Sequence, residues 1–168
     1  IYLIISNFNI ILMIHYIFDL DDTIIIHKNK PIHYKTITEN NKLTELLSNL
    51  DGPCYIYTNG TGGHAINVLK KMNLIYLFDK IYSRDTIPSM KPLMNSFKIV
   101  QNNIQNRYNT NKDIYYFFDD LLENLQTANK LGWITYWIHP NYEEGINYSF
   151  VTMSFPTITD CLKYLEIK

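Results

Sequence analysis

Apolar runs that stop abruptly at polar residues recur along the chain, and between them the apolar spacing switches from strand-like to helical. His15 to Leu20 is a short apolar run and predicts a first strand, ending at Asp19-Leu20-Asp21-Asp22-Thr23. Ile24 to Tyr34 splits into two β-prone pieces around a polar turn, which predicts a hairpin over the carboxyl end of that strand. Thr38 is suited to cap a helix from about Glu39 to Leu50, with Leu43, Leu46, Leu47 and Leu50 on one face, and Asp51-Gly52-Pro53 stops it.

Cys54 to Thr58 predicts a second strand, and Asn59-Gly60-Thr61-Gly62-Gly63 the tight turn after it. The next helix buries Ala65, Val68, Leu69 and Met72. Ile81 and Tyr82 mark a short third strand, and Arg84 to Met90 a loop. Pro92 suits the first position of a helix whose stripe is Leu93, Phe97, Val100 and Ile104. Ile114 to Phe118 reads as a strand buried on both faces, ending on Asp119-Asp120. A helix then turns Leu121, Leu125 and Ala128 inward and closes at Gly132. Ile134 to Ile138 is a fifth strand, Phe150 to Met153 an edge strand, and Thr157-x-x-Asp160 opens a last helix.

Strands alternating with helices give an α/β fold: a three-layer, Rossmann-like parallel sheet with helices on both faces, a β-hairpin flap after the first strand and no sizeable cap domain. Met13 reads as the natural start. Residues 1–12 are then expected to be an N-terminal extension outside the core, and 13–168 a single domain.

Composition narrows the classes. A net charge of −1 without a basic stripe argues against a stable nucleic-acid partner. The first eighteen residues carry no Asp, Glu, Lys or Arg, but they lack a basic leader and run without a break into Asp19, so no membrane partner is expected. Cys54 and Cys161 are the only cysteines, a usage that fits a reducing compartment and a cytoplasmic protein, the host cytoplasm if the chain is virus-encoded.

The strand ends then carry the chemistry. Asp19 and Asp21 follow the first strand, Thr58 and Asn59 the second, and Asp119 and Asp120 the fourth, while Lys91 lies in the loop after the third. In a parallel sheet these ends share one rim, where ligands bind. Several carboxylates converging there repel unless a cation neutralises them, and an all-oxygen set suits Mg²⁺ with a phosphate substrate. The five histidines show no ligand spacing; His64 is the one most suited to face the site.

These residues, in this order, resemble the haloacid dehalogenase superfamily of phosphohydrolases. Asp-x-Asp-x-Thr is matched by Asp19, Asp21 and Thr23, a strand ending in Thr by Thr58, Lys-Pro by Lys91-Pro92, and Asp-Asp by Asp119-Asp120. Within it, the stretches Tyr57 to Gly60, His64 to Ile66 through Leu77 to Asp79, Met90 to Pro92 and Phe117 to Leu125 are similar to the pyrimidine 5'-nucleotidase-like group. The resemblance implies that Asp19 is the nucleophile, Asp21 the general acid and base, and Thr58, Asn59 and Lys91 the phosphate-binding groups. It implies Mg²⁺ held by Asp19, Asp21 and Asp120 with Asp119 beside them, and Thr23 and Asn124 supporting from behind.

The activity implied by the resemblance is that of a Mg²⁺-dependent phosphomonoesterase working through an aspartyl-phosphate, on a small phosphorylated metabolite such as a nucleoside 5'-monophosphate. Two alternatives stand beside it. Nucleotidases of this group usually insert a helical cap between Thr23 and Thr58, where this chain has room only for the hairpin and one helix. An open site admits a macromolecular phosphate, on a protein or at a nucleic-acid 3' end, and a homo-oligomer is one source of missing cover. A non-catalytic phosphate-binding protein on the same fold is the other alternative.

Overall fold

The computed structural model describes residues 12–27, 34–109 and 112–166. Six parallel strands form one sheet in the order β3-β2-β1-β4-β5-β6, with β1 (Ile14–Phe18) central between β2 (Cys54–Tyr57) and β4 (Ile114–Asp119). β3 (Lys80–Tyr82) forms one edge. β5 (Ile134–Ile138) and β6 (Met153–Phe155) complete the other side. The run of buried Tyr, Ile and Phe that forms β1 fits this place, because a central parallel strand meets helices on both faces.

Alternate side chains divide between two cores. Phe18 and Ile56 pack with leucines of α1 (Asn41–Ser48), with Ala65, Val68 and Leu69 of α2 (Gly62–Lys71), and with Ile158, Cys161 and Leu162 of α5 (Ile158–Glu166). Ile17, Tyr55 and Phe117 face the other way, against Phe97, Val100 and Ile104 of α3 (Met94–Tyr108) and Leu125 and Ala128 of α4 (Leu122–Lys130). The period-two alternation of the strands therefore fills both layers. His15 is a core residue: it is fully buried, stacks on Tyr115 with centroids 5.2 Å apart, and lies 2.8 Å from an Asp113 oxygen.

Several boundaries differ from the sequence expectation. Asn40, not Thr38, caps α1, its Oδ1 accepting from the Leu43 amide at 3.1 Å. Pro92 lies ahead of α3 in a turn closed by the Leu93 amide on the Met90 carbonyl at 3.0 Å, and Leu93 is exposed. Leu121 is likewise exposed rather than inward. The edge strand begins at Met153 instead of Phe150, because Phe150 and Val151 pack against the second core. Gly132, at φ +81°, ends α4 in the left-handed conformation that glycine accepts without strain.

The first arm of the expected hairpin is instead a turn, with a single bridge between Asp21 and Ile25. The rest of that hairpin, residues 28–33, and the extension up to residue 11 lie outside the described residues. No cap domain occurs among the described residues, and no helix among them is long and apolar enough to cross a membrane.

Candidate active site

The carboxyl ends of β1, β2 and β4 bring the expected side chains to one rim. β1 pairs with β4 so that Phe18 lies opposite Phe118, and the Asp19 amide donates to the Phe118 carbonyl at 2.9 Å. That bond sets Asp19 beside Asp119. Lys91 reaches both: Nζ is 2.8 Å from Asp19 Oδ1 and 2.6 Å from Asp119 Oδ2. All three are buried, and the ammonium lies 5.1 Å from the Tyr57 ring centroid and 5.5 Å from that of Phe117.

Burial acts against the charge on Lys91, but the two carboxylates outweigh it and hold the ammonium above the ordinary lysine range. Burial also drives Asp19 upward against the opposing pull of Lys91, with Asp119 adding to the rise. Asp120 is pushed up to about 7 by burial and then by the charge of Asp119.

The four acceptor positions of Asp119 are taken. Oδ1 accepts from the Leu121 amide at 2.9 Å and from Asn124 Nδ2 at 2.9 Å; Oδ2 accepts from Lys91 and from Asn124 Nδ2 at 3.1 Å. Asp119 thus orients Lys91, and Asn124 supports Asp119 from one turn into α4. Asp119 stands beside Asp19 and Asp120 at the rim. Oxygens of Asp19, Asp119 and Asp120 lie within 4.8 Å of one another, and this hard, all-oxygen set fits Mg²⁺. Trp137 Nε1 donates to the Asp120 carbonyl at 2.7 Å and fixes that backbone.

Thr58 closes the rim from β2. Its hydroxyl oxygen accepts from the Gly60 amide at 2.9 Å, which leaves the hydroxyl proton to donate elsewhere. Of the amides that follow, Gly62 donates to Asp85 at 2.7 Å and His64 to Thr61 Oγ1 at 3.2 Å. The amides of Asn59 and Thr61 have no partner among the described residues. Gly60 sits where a Cβ would come within 3.2 Å of Thr58 Oγ1, 3.3 Å of His64 Cδ2 and 3.6 Å of Asp21 Oδ2. The Asn59 side chain pairs with Lys91: Nδ2 donates to the Lys91 carbonyl and Oδ1 accepts from the Lys91 amide, both at 2.9 Å. Thr23 is buried, and its hydroxyl has no hydrogen-bond partner among the described residues.

Asp21 has a different setting. Asp22, at φ +59°, reverses the chain, and its Oδ1 accepts from the His27 amide at 3.1 Å. His27 Nε2 then lies 2.5 Å, and His64 Nε2 2.8 Å, from the same Asp21 Oδ1. Tyr34 holds His64 from behind, its hydroxyl 2.7 Å from Nδ1. Sequence spacing signalled His64 only weakly and His27 and Tyr34 not at all.

A family model described as haloacid dehalogenase-like hydrolase matches residues 25–138. None of the curated proteins matches the chain. Among solved structures it is similar to the magnesium-bound HAD-hydrolase YfnB of Bacillus subtilis, at 20% identity and TM-score 0.62, over 76% of this chain and 55% of that one. It is also similar to the core domain of a Streptococcus pneumoniae protein assigned as a phosphoglycolate phosphatase, at 16% identity and TM-score 0.61, over 94% and 98% of the two chains. A Thermotoga maritima protein assigned as a β-phosphoglucomutase aligns at 17% identity and TM-score 0.64, over 80% and 62%. The chain thus spans little more than half of YfnB but nearly all of the streptococcal core domain. None of these matches singles out the nucleotidase group.

Proposed function

The chain belongs to the haloacid dehalogenase-like hydrolase family, and from that premise we propose that it is a Mg²⁺-dependent phosphomonoesterase using Asp19 as nucleophile, with a small phosphorylated metabolite such as a nucleoside 5'-monophosphate as substrate. One observation carries the reading: the two carboxylates of the Asp-x-Asp pair sit in opposite environments. Asp19 is buried on Lys91, whereas Asp21 faces two imidazoles and keeps partial exposure. Two carboxyl groups kept apart in this way take separate roles. A dehalogenase needs no acid for its leaving halide, so the retained Asp21 favours phosphoryl transfer.

Asp19 attacks the phosphorus with its outer oxygen while Lys91 holds Oδ1, forming an aspartyl-phosphate and releasing an alkoxide. Asp21 protonates that alkoxide, and as the base then takes a proton from the water that splits the acyl-phosphate. The Thr58 hydroxyl and the amides of Asn59 and Thr61 donate to phosphoryl oxygens, and Lys91 offsets their charge. A Mg²⁺ ion held by Asp19, Asp120 and the Asp21 carbonyl would supply charge neutralisation between the anionic nucleophile and the phosphate.

The exposed Ile26, Met90, Leu93 and Leu121 neighbour site residues in sequence and favour a second reading, a macromolecular phosphate. A panel of nucleoside monophosphates, sugar phosphates, phosphopeptides and 3'-phosphorylated oligonucleotides, with Mg²⁺ and with chelator, separates the two. The reading predicts Mg²⁺-dependent phosphate release that Asp19→Asn abolishes. Undiminished turnover by D19N removes the nucleophile, and no turnover of any substrate removes the enzyme.

A further inference from the structure

We infer that Asp21, His27 and His64 form a second metal site, distinct in ligand chemistry from the carboxylate site and suited to Zn²⁺. Two imidazole nitrogens converge on one carboxylate oxygen, at 2.5 Å and 2.8 Å. Their ligand atoms all lie within 4.8 Å of one another. An N₂O set of this kind suits zinc, whereas Mg²⁺ takes oxygen ligands. The two neighbouring sites therefore sort metals by donor type.

The geometry needs little change to accept the ion. Zinc bonded at about 2.0–2.1 Å in a tetrahedron spaces its ligand atoms about 3.3 Å apart, so each imidazole withdraws by under about 1 Å. The side chains of His27 and His64 are 7% and 13% exposed, and that of Asp21 is 34% exposed. Two ligands are thus held by packing, while the third opens to water that fills the remaining position. Backing groups are in place as well. The Tyr34 hydroxyl at His64 Nδ1 can accept that ring's proton and leave Nε2 for the metal, and the His27 backbone is anchored on Asp22.

The consequence depends on which atom the ion takes. Zinc on Asp21 Oδ1 holds the carboxylate ionised, and an ionised, coordinated carboxylate cannot protonate a leaving group. Zinc at this site is then an inhibitor of phosphate release while Mg²⁺ remains in place. This consequence rests on the phosphatase reading; the binding itself does not.

The test titrates the full chain with Zn²⁺ in a large excess of Mg²⁺, following bound metal with a competing chromophoric chelator. One Zn²⁺ per chain is expected to resist the excess. His27→Gln and His64→Gln are each expected to weaken it about tenfold or more, and Asp120→Asn to leave it unchanged. Co²⁺ in the wild-type protein should give the intense visible bands of a four-coordinate ion. If either histidine variant fails to fold, Tyr34→Phe, which keeps the ring and removes the hydroxyl behind His64, is expected to weaken zinc about tenfold. Complete displacement of Zn²⁺ by Mg²⁺, undiminished binding in the double histidine variant, or loss of zinc in D120N overturns the site. A preparation that binds zinc this way but releases no phosphate from any substrate refutes the phosphatase reading and leaves the site standing.

Discussion

Asn59 and Lys91 are joined edge to edge: the planar amide of the Asn59 side chain makes both of its hydrogen bonds, each 2.9 Å, to the backbone amide and carbonyl of Lys91. The turn after β2 thereby fixes where the lysine leaves its loop, and so where its ammonium meets Asp19. Asn59→Ala is expected to lower kcat by about 10–100-fold through misplacement of Lys91. It should also cost about 1–3 kcal/mol of stability, because it strands a half-buried backbone pair. Parallel kcat and urea-denaturation measurements check this; full activity in N59A would show that the loop holds Lys91 without help.

Lys91→Met leaves Asp19 and Asp119 buried without their cation. Breaking a buried pair in this way costs about 3–5 kcal/mol. Part of that loss should return in the Lys91→Met, Asp119→Asn double variant, since the stranded charge goes with its partner. A double-mutant cycle on the urea midpoints measures the coupling, and strict additivity would contradict the direct contact of 2.6 Å.

Metal and pH should act together on stability. Burial and Asp119 raise Asp120 to about 7 in the metal-free fold, and Asp19 is raised too, against an unfolded value of 3.8. The folded state then binds protons that the unfolded chain releases, so this contribution to stability is present at low pH and is lost as pH climbs from about 4 toward about 7. Mg²⁺ offsets the repulsion that replaces it. The rise in Tm on adding Mg²⁺ should be small at about pH 5 and larger at about pH 8. Melting curves with Mg²⁺ and with chelator across that range test this, and a metal effect independent of pH counts against it. Asp120→Asn should flatten the curve.

Gly60→Ala puts a methyl against Thr58 Oγ1 and His64 Cδ2, at 3.2 Å and 3.3 Å. Gly60 lies on the half-exposed rim, away from the core, so global stability should move by under about 1 kcal/mol. Phosphate binding should weaken, with KM rising more than kcat falls. Steady-state kinetics on the best substrate, beside a thermal melt, distinguish this from unfolding; an unchanged KM would place the phosphate away from this turn.

Much of the sheet was legible because each inner strand is an apolar run of four to six residues that ends at a polar group on the rim. Where burial was partial, the signal failed. β6 has no fully buried residue, so nothing in its pattern separated Met153–Phe155 from the Phe150 and Val151 packed just before it. Leu93 continues the α3 stripe in spacing, yet its backbone is extended at φ −63° and ψ 126°, and the helix starts after it. Both Thr38 and Asn40 are capping residues by chemistry, and only the reach of Oδ1 to Leu43 decides between them.

In the site, Asp19, Asp21, Thr58, Lys91, Asp119 and Asp120 were legible as strand-end or loop residues of a parallel sheet. The roles that depend on who touches whom were not. The contacts of the Asn59 side chain and of Asp119 with Lys91 are such pairings, which spacing along the chain does not encode. His27 and His64 meet only because Asp22 adopts a left-handed turn and α2 begins beside it, so their approach to Asp21 exists in three dimensions alone.

The Lys91 ammonium wedged between Asp19 and Asp119 has a consequence for how such a chain can change over generations. Loss of either carboxylate still leaves Lys91 one partner, whereas loss of Lys91 strands two buried anions in the floor of the sheet, so the ammonium is the member the fold can least spare. A descendant that dropped the ammonium yet kept the fold would have to exchange the two carboxylates as well for neutral side chains of similar volume, so the three positions are expected to change together.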